Sequence, residues 1–402
     1  AAKKQLMERF DCDEVGELKE YIGCRVDRGD GIMKLTQAVL LQSFKDEFDL
    51  PDAKPPNTPA VPGQVLRSGT ETSMLNDEMQ SKYRSGTGKL LHMMKWSRPD
   101  VRNSVRELSR FMTGATASHL KAMYRVMQYC LGTKERGLTL KPNCKWNGDP
   151  NFLFVLAGKS DSTYASDENA KSVTGYSTTL CGATISEKSK GQTATTLSVT
   201  ESELVAAVDC VQDLLFEKRV LESLGLKVET PMILQVDNKG VMDLANNWSV
   251  GGRTRHITVR TNFLRELKEQ GLLRVEWIPA DENSSDMFTK NLQGPLFEKH
   301  ASVYVSDMLS TDSQREGVGG RVSSHEQLVI ESHAEHGSGH KEKQGLGFGA
   351  RTGRMPKEKA HELRWNDNEG QDLDRKSIEG QDLDWKSVEG QEPERKPKEG
   401  YI

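Results

Sequence analysis

The sequence has few cysteines, no two of them closely spaced, and only a small excess of negative charge. Its six cysteines are scattered and form no CxxC pair, which argues against a disulfide framework or a zinc site and favours reduced thiols. The formal net charge is -4, so the chain as a whole does not attract nucleic acid. Any nucleic-acid site must therefore be a local basic patch.

Long apolar runs are also missing. No run is long enough to span a membrane, and no signal peptide is recognisable. We therefore predict an intracellular protein, cytoplasmic or nuclear, with no membrane partner. Because the chain begins with Ala1 and not with methionine, we expect it to be a fragment of a longer polypeptide.

Hydrophobic side chains are too sparse for a chain that is packed throughout. They make up 35% of the residues, and the mean hydropathy is -0.64. Beyond His300 the sequence is rich in Gly, Ser, Glu and Lys, and ten-residue repeats begin at Glu369 and Glu379. Each repeat has too few apolar residues to bury a stacked core. We predict that residues 301–402 form a disordered, low-complexity tail.

The first 145 residues predict a hairpin followed by a small helical module. Residues 18–35 form two short runs around a Gly/Asp turn, and residues 39–48 have helical spacing. Residues 51–76 are proline-rich and predict a linker or surface excursion. Three helices are predicted between residues 83 and 131. Their basic residues could follow a phosphate backbone or could simply be solvated helix faces: Lys89, Lys95, Arg98, Arg102, Arg106, Arg110, Lys121 and Arg125.

Residues 151–290 alternate between strand and helix patterns. Three strands with short connections must be antiparallel neighbours. A long helix is predicted to start at a capping box, Ser198 with Glu201, and to end at Gly225. Two more strands and three more helical segments follow, which predicts a mixed sheet in a layered α/β domain.

Acidic residues stand at comparable positions in these elements. Asp161 follows the strand run 152–156, Glu203 lies at the start of the long helix, Asp237 ends the strand 233–236 and Asp286 lies just past the strand 275–279. Each acid alone could be an ordinary surface residue. Loops at the carboxyl edge of a sheet commonly carry chemistry. Together the acids predict a site for two magnesium ions (Mg2+) that hydrolyses a phosphodiester.

Several motifs together resemble the ribonuclease H domain of copia-type retrotransposon polyproteins. They lie at residues 160–165, 171–176, 197–203, 236–238, 255–257 and 285–290. The resemblance implies a ribonuclease H-like mixed five-stranded sheet with flanking helices over residues 151–300. It also implies that Asp161, Glu203, Asp237 and Asp286 are both the metal ligands and the catalytic residues. Glu203 is preferred to Glu201 because residues 203–207 match the wider ribonuclease H pattern.

The resemblance extends upstream. Motifs at residues 16–19, 83–85, 98–101, 108–112 and 129–133 are similar to the end of a reverse transcriptase palm with its thumb and connection. We therefore divide the chain into residues 1–145, 151–300 and the tail 301–402. The paired-aspartate motif of the polymerase should precede residue 1, so this chain is not expected to polymerise DNA. The remainder of the Pol polyprotein is an expected partner.

The expected function is cleavage of the RNA strand of an RNA–DNA hybrid with two Mg2+ ions, for which Mn2+ could substitute. Candidate nucleic-acid contacts are Arg253, Arg255, His256, Arg260 and Lys290. The residues from Arg253 to Arg260 could equally be the solvated start of a basic helix. The loop at residues 279–283 lacks the histidine that many ribonucleases H carry, and Tyr164 stands where the family often has tryptophan.

Two alternatives remain open at the level of sequence. The chain could be an inactive retroelement relic that acts at most as a nucleic-acid-binding scaffold. It could also be another nuclease or an integrase on the same fold that cuts DNA.

Overall fold

A computed structural model describes residues 16–246 and 255–307, together with Met7. The chain divides into two compact units, Ala1–Gly319 and Gly320–Ile402. The second unit, including the ten-residue repeats, lies outside the described residues. Within the described ranges, no helix combines the length and the apolar character that crossing a bilayer requires.

The first sheet is antiparallel and begins with the predicted hairpin. Asp30 and Gly31 both have positive φ, 50° and 77°, the backbone conformation that tight two-residue hairpin turns require. The hairpin prediction is confirmed. In spatial order the sheet is β1-β2-β3-β4-β12, with bounds β1 Glu20–Tyr21, β2 Cys24–Gly29, β3 Ile32–Thr36, β4 Gly137–Leu140 and β12 Val305–Ser306.

The predicted helices of the upstream module are also confirmed. They are α1 Ala38–Glu47, α2 Asp77–Trp96, α3 Arg102–Ser109 and α4 Ala117–Gly132, with a short 3-10 turn at Pro99–Val101. The side chain of Asn76 caps α2 by accepting the Met79 N–H at 2.9 Å. Tyr83, Met93 and Met127 are fully buried between the helices.

A buried ion pair connects the 3-10 turn to α4. Arg98 donates to both carboxylate oxygens of Asp100 at 2.9 and 2.8 Å, and the Tyr129 hydroxyl donates to Asp100 at 2.7 Å. Arg98 also donates to the Thr133 hydroxyl at 2.8 Å. Because the side chains of Arg98 and Asp100 are 1% and 0% exposed, each charge depends on the other for its stabilisation.

The second sheet has the predicted mixed, five-stranded arrangement. Its order is β11-β10-β6-β7-β8; β6, β7 and β8 are antiparallel, and β10 is parallel to both β6 and β11. The strands are β6 Leu156–Thr163, β7 Val173–Leu180, β8 Ala183–Gly191, β10 Met232–Val236 and β11 Leu273–Trp277. A separate two-stranded pair joins β5 Leu153–Phe154 to β9 Lys227–Val228. The predicted fold class is therefore confirmed.

Helices flank this sheet, as expected. They are α5 Val199–Ser223, α6 Lys239–Asn246 and α7 Arg255–Glu269. Leu204, Val211 and Leu234 form part of a core between the sheet and the helices. The long helix ends as predicted, with Gly225 at φ 78°.

The last described segment joins the two sheets. It contains 3-10 turns at Ala280–Glu282 and Ser284–Phe288, then α8 Gly294–Ala301 and strand β12. Phe288, Phe297 and Tyr304 belong to the core of the upstream helices. The predicted start of the tail at residue 301 is wrong for residues 301–307, because Ala301 and Tyr304 are buried in that core and β12 pairs with β4.

We predict that Asp100→Asn lowers the free energy of unfolding by about 3 kcal/mol, because it leaves the buried Arg98 without a negative partner. Urea denaturation would measure the loss. Asp27→Asn is a matched control, since Asp27 pairs with the exposed Arg25 at 2.8 Å, and it should change stability little. Equal stability of the Asp100 variant and the unmodified protein would show that the ion pair is dispensable.

Candidate active site

Two of the predicted acids come from adjacent parallel strands. Val236 pairs with Ser160 in the ladder between β10 and β6, so the next residues, Asp237 and Asp161, lie side by side. Asp161 is buried and Asp237 is half-buried. Parallel pairing thus brings two carboxylates that are distant in sequence to one level of the sheet edge.

The third acid comes from the start of α5. The Ser198 side chain accepts the Glu201 N–H at 3.1 Å, and Glu201 accepts the Leu197 N–H at 2.8 Å. The predicted serine cap is confirmed, but Glu201 bonds one residue further back than a capping box requires. The hydroxyls of Ser162 and Ser202 lie 2.8 Å apart and hold the helix start against β6.

The three carboxylates converge. One ligand atom from each of Asp161, Glu203 and Asp237 lies within 4.8 Å of the others. Glu203 is also buried, and its Oε2 atom has no hydrogen-bond partner among the residues that the structure describes. An unpartnered buried carboxylate oxygen is costly unless a cation or a donor reaches it.

Asp286 joins the other acids through a lysine. It lies in the 3-10 turn Ser284–Phe288, and its carboxylate accepts a hydrogen bond from Lys290. The Lys290 ammonium is also 3.4 Å from Asp161 Oδ1. Thr289 donates to the other oxygen of Asp161. One lysine therefore links the last acid to the first.

The pKa values of the site residues are shifted because several carboxylates lie close together and away from water. Burial raises the pKa of Asp161 to about 8 and that of Glu203 to about 9, and the neighbouring carboxylates add to both shifts. The pKa of Asp237 is also raised by burial. Burial alone would lower the pKa of Lys290, but the charges of Asp161 and Asp286 outweigh it and raise that pKa.

The donor set fits a hard divalent cation. Mg2+ takes oxygen ligands, prefers carboxylates and keeps several waters. Asp161, Glu203 and Asp237 offer such oxygens from three different elements, and Glu203 Oε2 is an acceptor without a partner in the described part of the chain. These residues could hold a metal ion, whereas Asp286 stands outside this group of three and its carboxylate is paired with Lys290.

The basic residues predicted from sequence fall into two groups. Lys290 points among the acids, while Arg260 is partly exposed on α7. Arg255 and His256 begin α7, but their side chains lie outside the described part of the structure, as does Arg253.

Two further residues, Asn283 and Thr289, contribute to the site although no sequence pattern predicts a role for either. Asn283 donates to the Ser160 carbonyl at 2.8 Å and accepts the Ser285 N–H at 3.2 Å, which anchors the turn carrying Asp286 to β6. Thr289 bonds Asp161 directly. Thr289 lies in the motif at residues 285–290, which the sequence reveals. Its contact with Asp161 depends on the fold and could not be predicted from that motif.

His300 on α8 is buried, and its Nε2 atom has no partner among the described residues. Burial lowers its pKa, and the charge of Asp286 opposes that shift. His300 therefore lies close enough to Asp286 to feel its charge, on a different element from residues 279–283.

A ribonuclease H-like sheet with acids at one edge defines the class of this domain. No family model matches the sequence. The chain is 30% identical over 302 residues to the Retrovirus-related Pol polyprotein from transposon TNT 1-94 of Nicotiana tabacum, a match covering 74% of this chain and 22% of that protein. Against the corresponding RE1 polyprotein of Arabidopsis thaliana the identity is 28% over 298 residues, with 74% and 20% covered.

Among solved structures, the chain is similar to LC11-RNase H1, isolated from compost by a metagenomic approach. The identity is 16%, the match covers 36% of this chain and 96% of that one, and the TM-score is 0.28. At that score the fold class rests on the strand order and directions given above. The chain is similar to Pol polyproteins of copia-type retrotransposons, and it spans about a fifth of the length of the two polyproteins compared.

We predict that Lys290→Met lowers the melting temperature by about 2–6 °C in a chelating buffer. The substitution removes the positive charge that contacts both Asp161 and Asp286 and offsets the repulsion between their carboxylates. Added Mg2+ should reduce the difference in melting temperature between the variant and the unmodified protein. Thermal denaturation with EDTA and with MgCl2 would measure both effects.

The control for this variant is Lys299→Met, since Lys299 pairs with the exposed Asp281 at 3.0 Å. It should behave like the unmodified protein in both buffers. A Lys290 variant that is equally stable in the chelating buffer would contradict the counter-charge role.

Proposed function

We propose that this chain is a ribonuclease H-type endonuclease that cuts the RNA strand of an RNA–DNA hybrid. The observation that carries the proposal is the convergence of Asp161, Glu203 and Asp237, whose ligand atoms lie within 4.8 Å of one another at the carboxyl edge of the sheet. Buried acids with raised pKa values in such a position are typical of functional sites. The similarity to retrotransposon Pol polyproteins agrees with this chemistry.

Two divalent ions, when bound, would activate a water molecule and stabilise the leaving oxygen of a phosphodiester. Asp161, Glu203, Asp237 and Asp286 are the proposed ligands, with Mg2+ as the natural ion and Mn2+ as a substitute. The protein's own contribution is to hold these carboxylates in place. Asn283 and Thr289 fix the segment around Asp286 against β6 through their hydrogen bonds.

Lys290 has a second proposed role. Its side chain is 40% exposed, so the ammonium can reach solvent while it contacts Asp161 and Asp286. A cation at the rim of an acidic site can attract a substrate phosphate that the carboxylates alone would repel. We therefore retain Lys290 as a nucleic-acid contact, acting inside the site.

The proposed substrate follows from groove geometry. An RNA–DNA hybrid has a wide, shallow minor groove in which 2′-hydroxyls are accessible, so contacts there distinguish RNA from DNA. Arg253, Arg255, His256 and Arg260 are the proposed phosphate contacts. The upstream helices would hold the duplex, and the rest of the polyprotein remains a proposed partner.

We expect Asp237→Asn to reduce cleavage of the RNA strand of a labelled hybrid by about 100-fold or more, because a neutral amide is a poor metal ligand. Gel analysis of an end-labelled RNA strand in Mg2+ would measure the rate. Asp243→Asn, an exposed acid on the neighbouring α6, is the matched control and should retain full activity.

The same assay separates the alternatives. Cleavage of the RNA strand that persists in Asp237→Asn would overturn the assignment of the site. An unmodified chain that binds the hybrid and cuts nothing would favour the scaffold alternative, and cleavage of duplex DNA would favour a DNA nuclease.

A further inference from the structure

An exposed tryptophan and an exposed lysine lie together beside the acidic site. Trp277 is the last residue of β11 and is 39% exposed. Lys239 is the first residue of α6 and is also exposed. The Lys239 ammonium lies over the Trp277 ring, with Nζ 4.6 Å from the ring centroid, which is the distance of a cation–π contact. The two side chains therefore form a pair at the protein surface.

This pair is fixed relative to one of the acids. In the parallel ladder between β10 and β11, Trp277 pairs with Val236, the residue before Asp237. The Trp277 indole N–H donates to the main-chain carbonyl of Asp237 at 2.9 Å. Lys239 is two residues beyond Asp237, so their Cα atoms are at most about 7.6 Å apart, because consecutive Cα atoms are about 3.8 Å apart. One indole thus contacts the main chain of an acid and the ammonium of a nearby lysine.

The turn between β10 and α6 is closely packed. The Asn238 side chain accepts the Val241 N–H at 3.2 Å. A Cβ atom at Gly240 would lie 3.1 Å from the Thr200 side chain, so the turn lies directly against the start of α5, the helix that supplies the third acid. The main chain at Lys239 is therefore held in place relative to two of the acids.

The charge of Lys239 is left available for a ligand. Within the described ranges Lys239 forms no ion pair, and its ammonium contacts an aromatic ring that carries no net charge. Lys290 differs, because Asp161 and Asp286 offset its charge. A lysine in the first turn of a helix also opposes the helix dipole, so helix stability does not account for the position of Lys239.

Backbone phosphates are the anions that a bound duplex would bring to this lysine. A double-helical strand carries one phosphate per roughly 3.4 Å of helix axis. A strand held at the acids by one phosphate therefore brings a neighbouring phosphate within reach of a side chain two residues from Asp237. Such a contact does not require access to the bases, which remain paired and stacked. Lysine side chains commonly make contacts of this kind.

We infer that Lys239 binds a backbone phosphate next to the one held at the acids, and that Trp277 is a positioning residue that places the ammonium for this contact. The inference rests on the proposed function, since the acids must hold a strand of the RNA–DNA hybrid for a neighbouring phosphate to reach Lys239. It adds a nucleic-acid contact that the sequence pattern does not predict.

The first test measures binding without cleavage. In an Asp161→Asn background, which leaves the sequence of the turn between β10 and α6 unchanged, fluorescence anisotropy measures the affinity for a labelled RNA–DNA hybrid over a series of salt concentrations. We expect Lys239→Met to weaken binding about 5-fold at low salt. It should also reduce the slope of log affinity against log salt concentration by about 1, because one phosphate contact is lost and one counterion fewer is released.

The matched control is Lys227→Met. Lys227 lies on β9 and donates to Asn151 at 2.8 Å. It precedes the amino end of β10, whereas Asp237 follows the carboxyl end of that strand. Removal of this charge should leave both the affinity and the salt slope unchanged. Equal losses for the Lys227 and Lys239 variants would show an effect of net charge alone and would overturn the inference.

A double-mutant cycle tests the role of Trp277. Trp277→Leu removes the ring, so it should weaken binding about 3-fold when Lys239 is present, because the ammonium is no longer held in place. In the Lys239→Met background the same substitution should have no effect. A purely structural role would weaken binding equally in both backgrounds, and that result would overturn the assignment of Trp277 as a positioning residue.

The outcomes for this contact and for the nuclease activity are separable. An unchanged salt slope in Lys239→Met overturns the phosphate contact even if the unmodified chain cuts RNA. A reduced slope, with the control unchanged, supports the contact even if the unmodified chain binds the hybrid and cuts nothing.

Discussion

The structure must offset the free-energy cost of bringing negative charges together away from water. Asp161, Glu203 and Asp237 converge where burial raises their pKa values, so their ionised forms cost free energy there. Ionised carboxylates can be held together there only by positive charge. Lys290 supplies part of it from within the chain, and the remaining demand for positive charge is what suits the cluster to divalent ions.

The rest of the sheet domain can be understood as support for that arrangement. Pairing of Val236 with Ser160 fixes the relative height of two acids, and the contact between Ser162 and Ser202 fixes the helix that supplies the third. Asn283 ties the turn that carries the fourth to the same strand. Each support is a hydrogen bond or ladder contact between elements distant in sequence, so the acids stay close although their charges repel.

Sequence patterns predicted the elements better than they predicted the contacts between them. Apolar runs, the Ser198 cap and the Gly225 stop are local signals, so the strands, helices and sheet type could be predicted from them. The position of Gly63 and Gln64 could not be predicted, because it depends on hydrogen bonds between their main chain and Asn291 that leave no trace in composition. The sequence pattern places residues 301–307 in the tail, because their few apolar side chains pack into a core built from the distant upstream helices and make no local pattern.

Those shared contacts bear on how the chain is organised. Phe288 and Tyr304 lie in the sequence after the sheet but pack into the core of the upstream helices, and β12 completes the first sheet. Phe288 is separated from Asp286 by a single residue, so packing on the upstream module and placement of the last acid involve the same turn. Cutting the chain near residue 150 would expose these aromatic side chains to water and remove residues 63 and 64, which hydrogen-bond to Asn291 beside Lys290. The placement of the acidic edge therefore depends on the upstream helices and the sheet together.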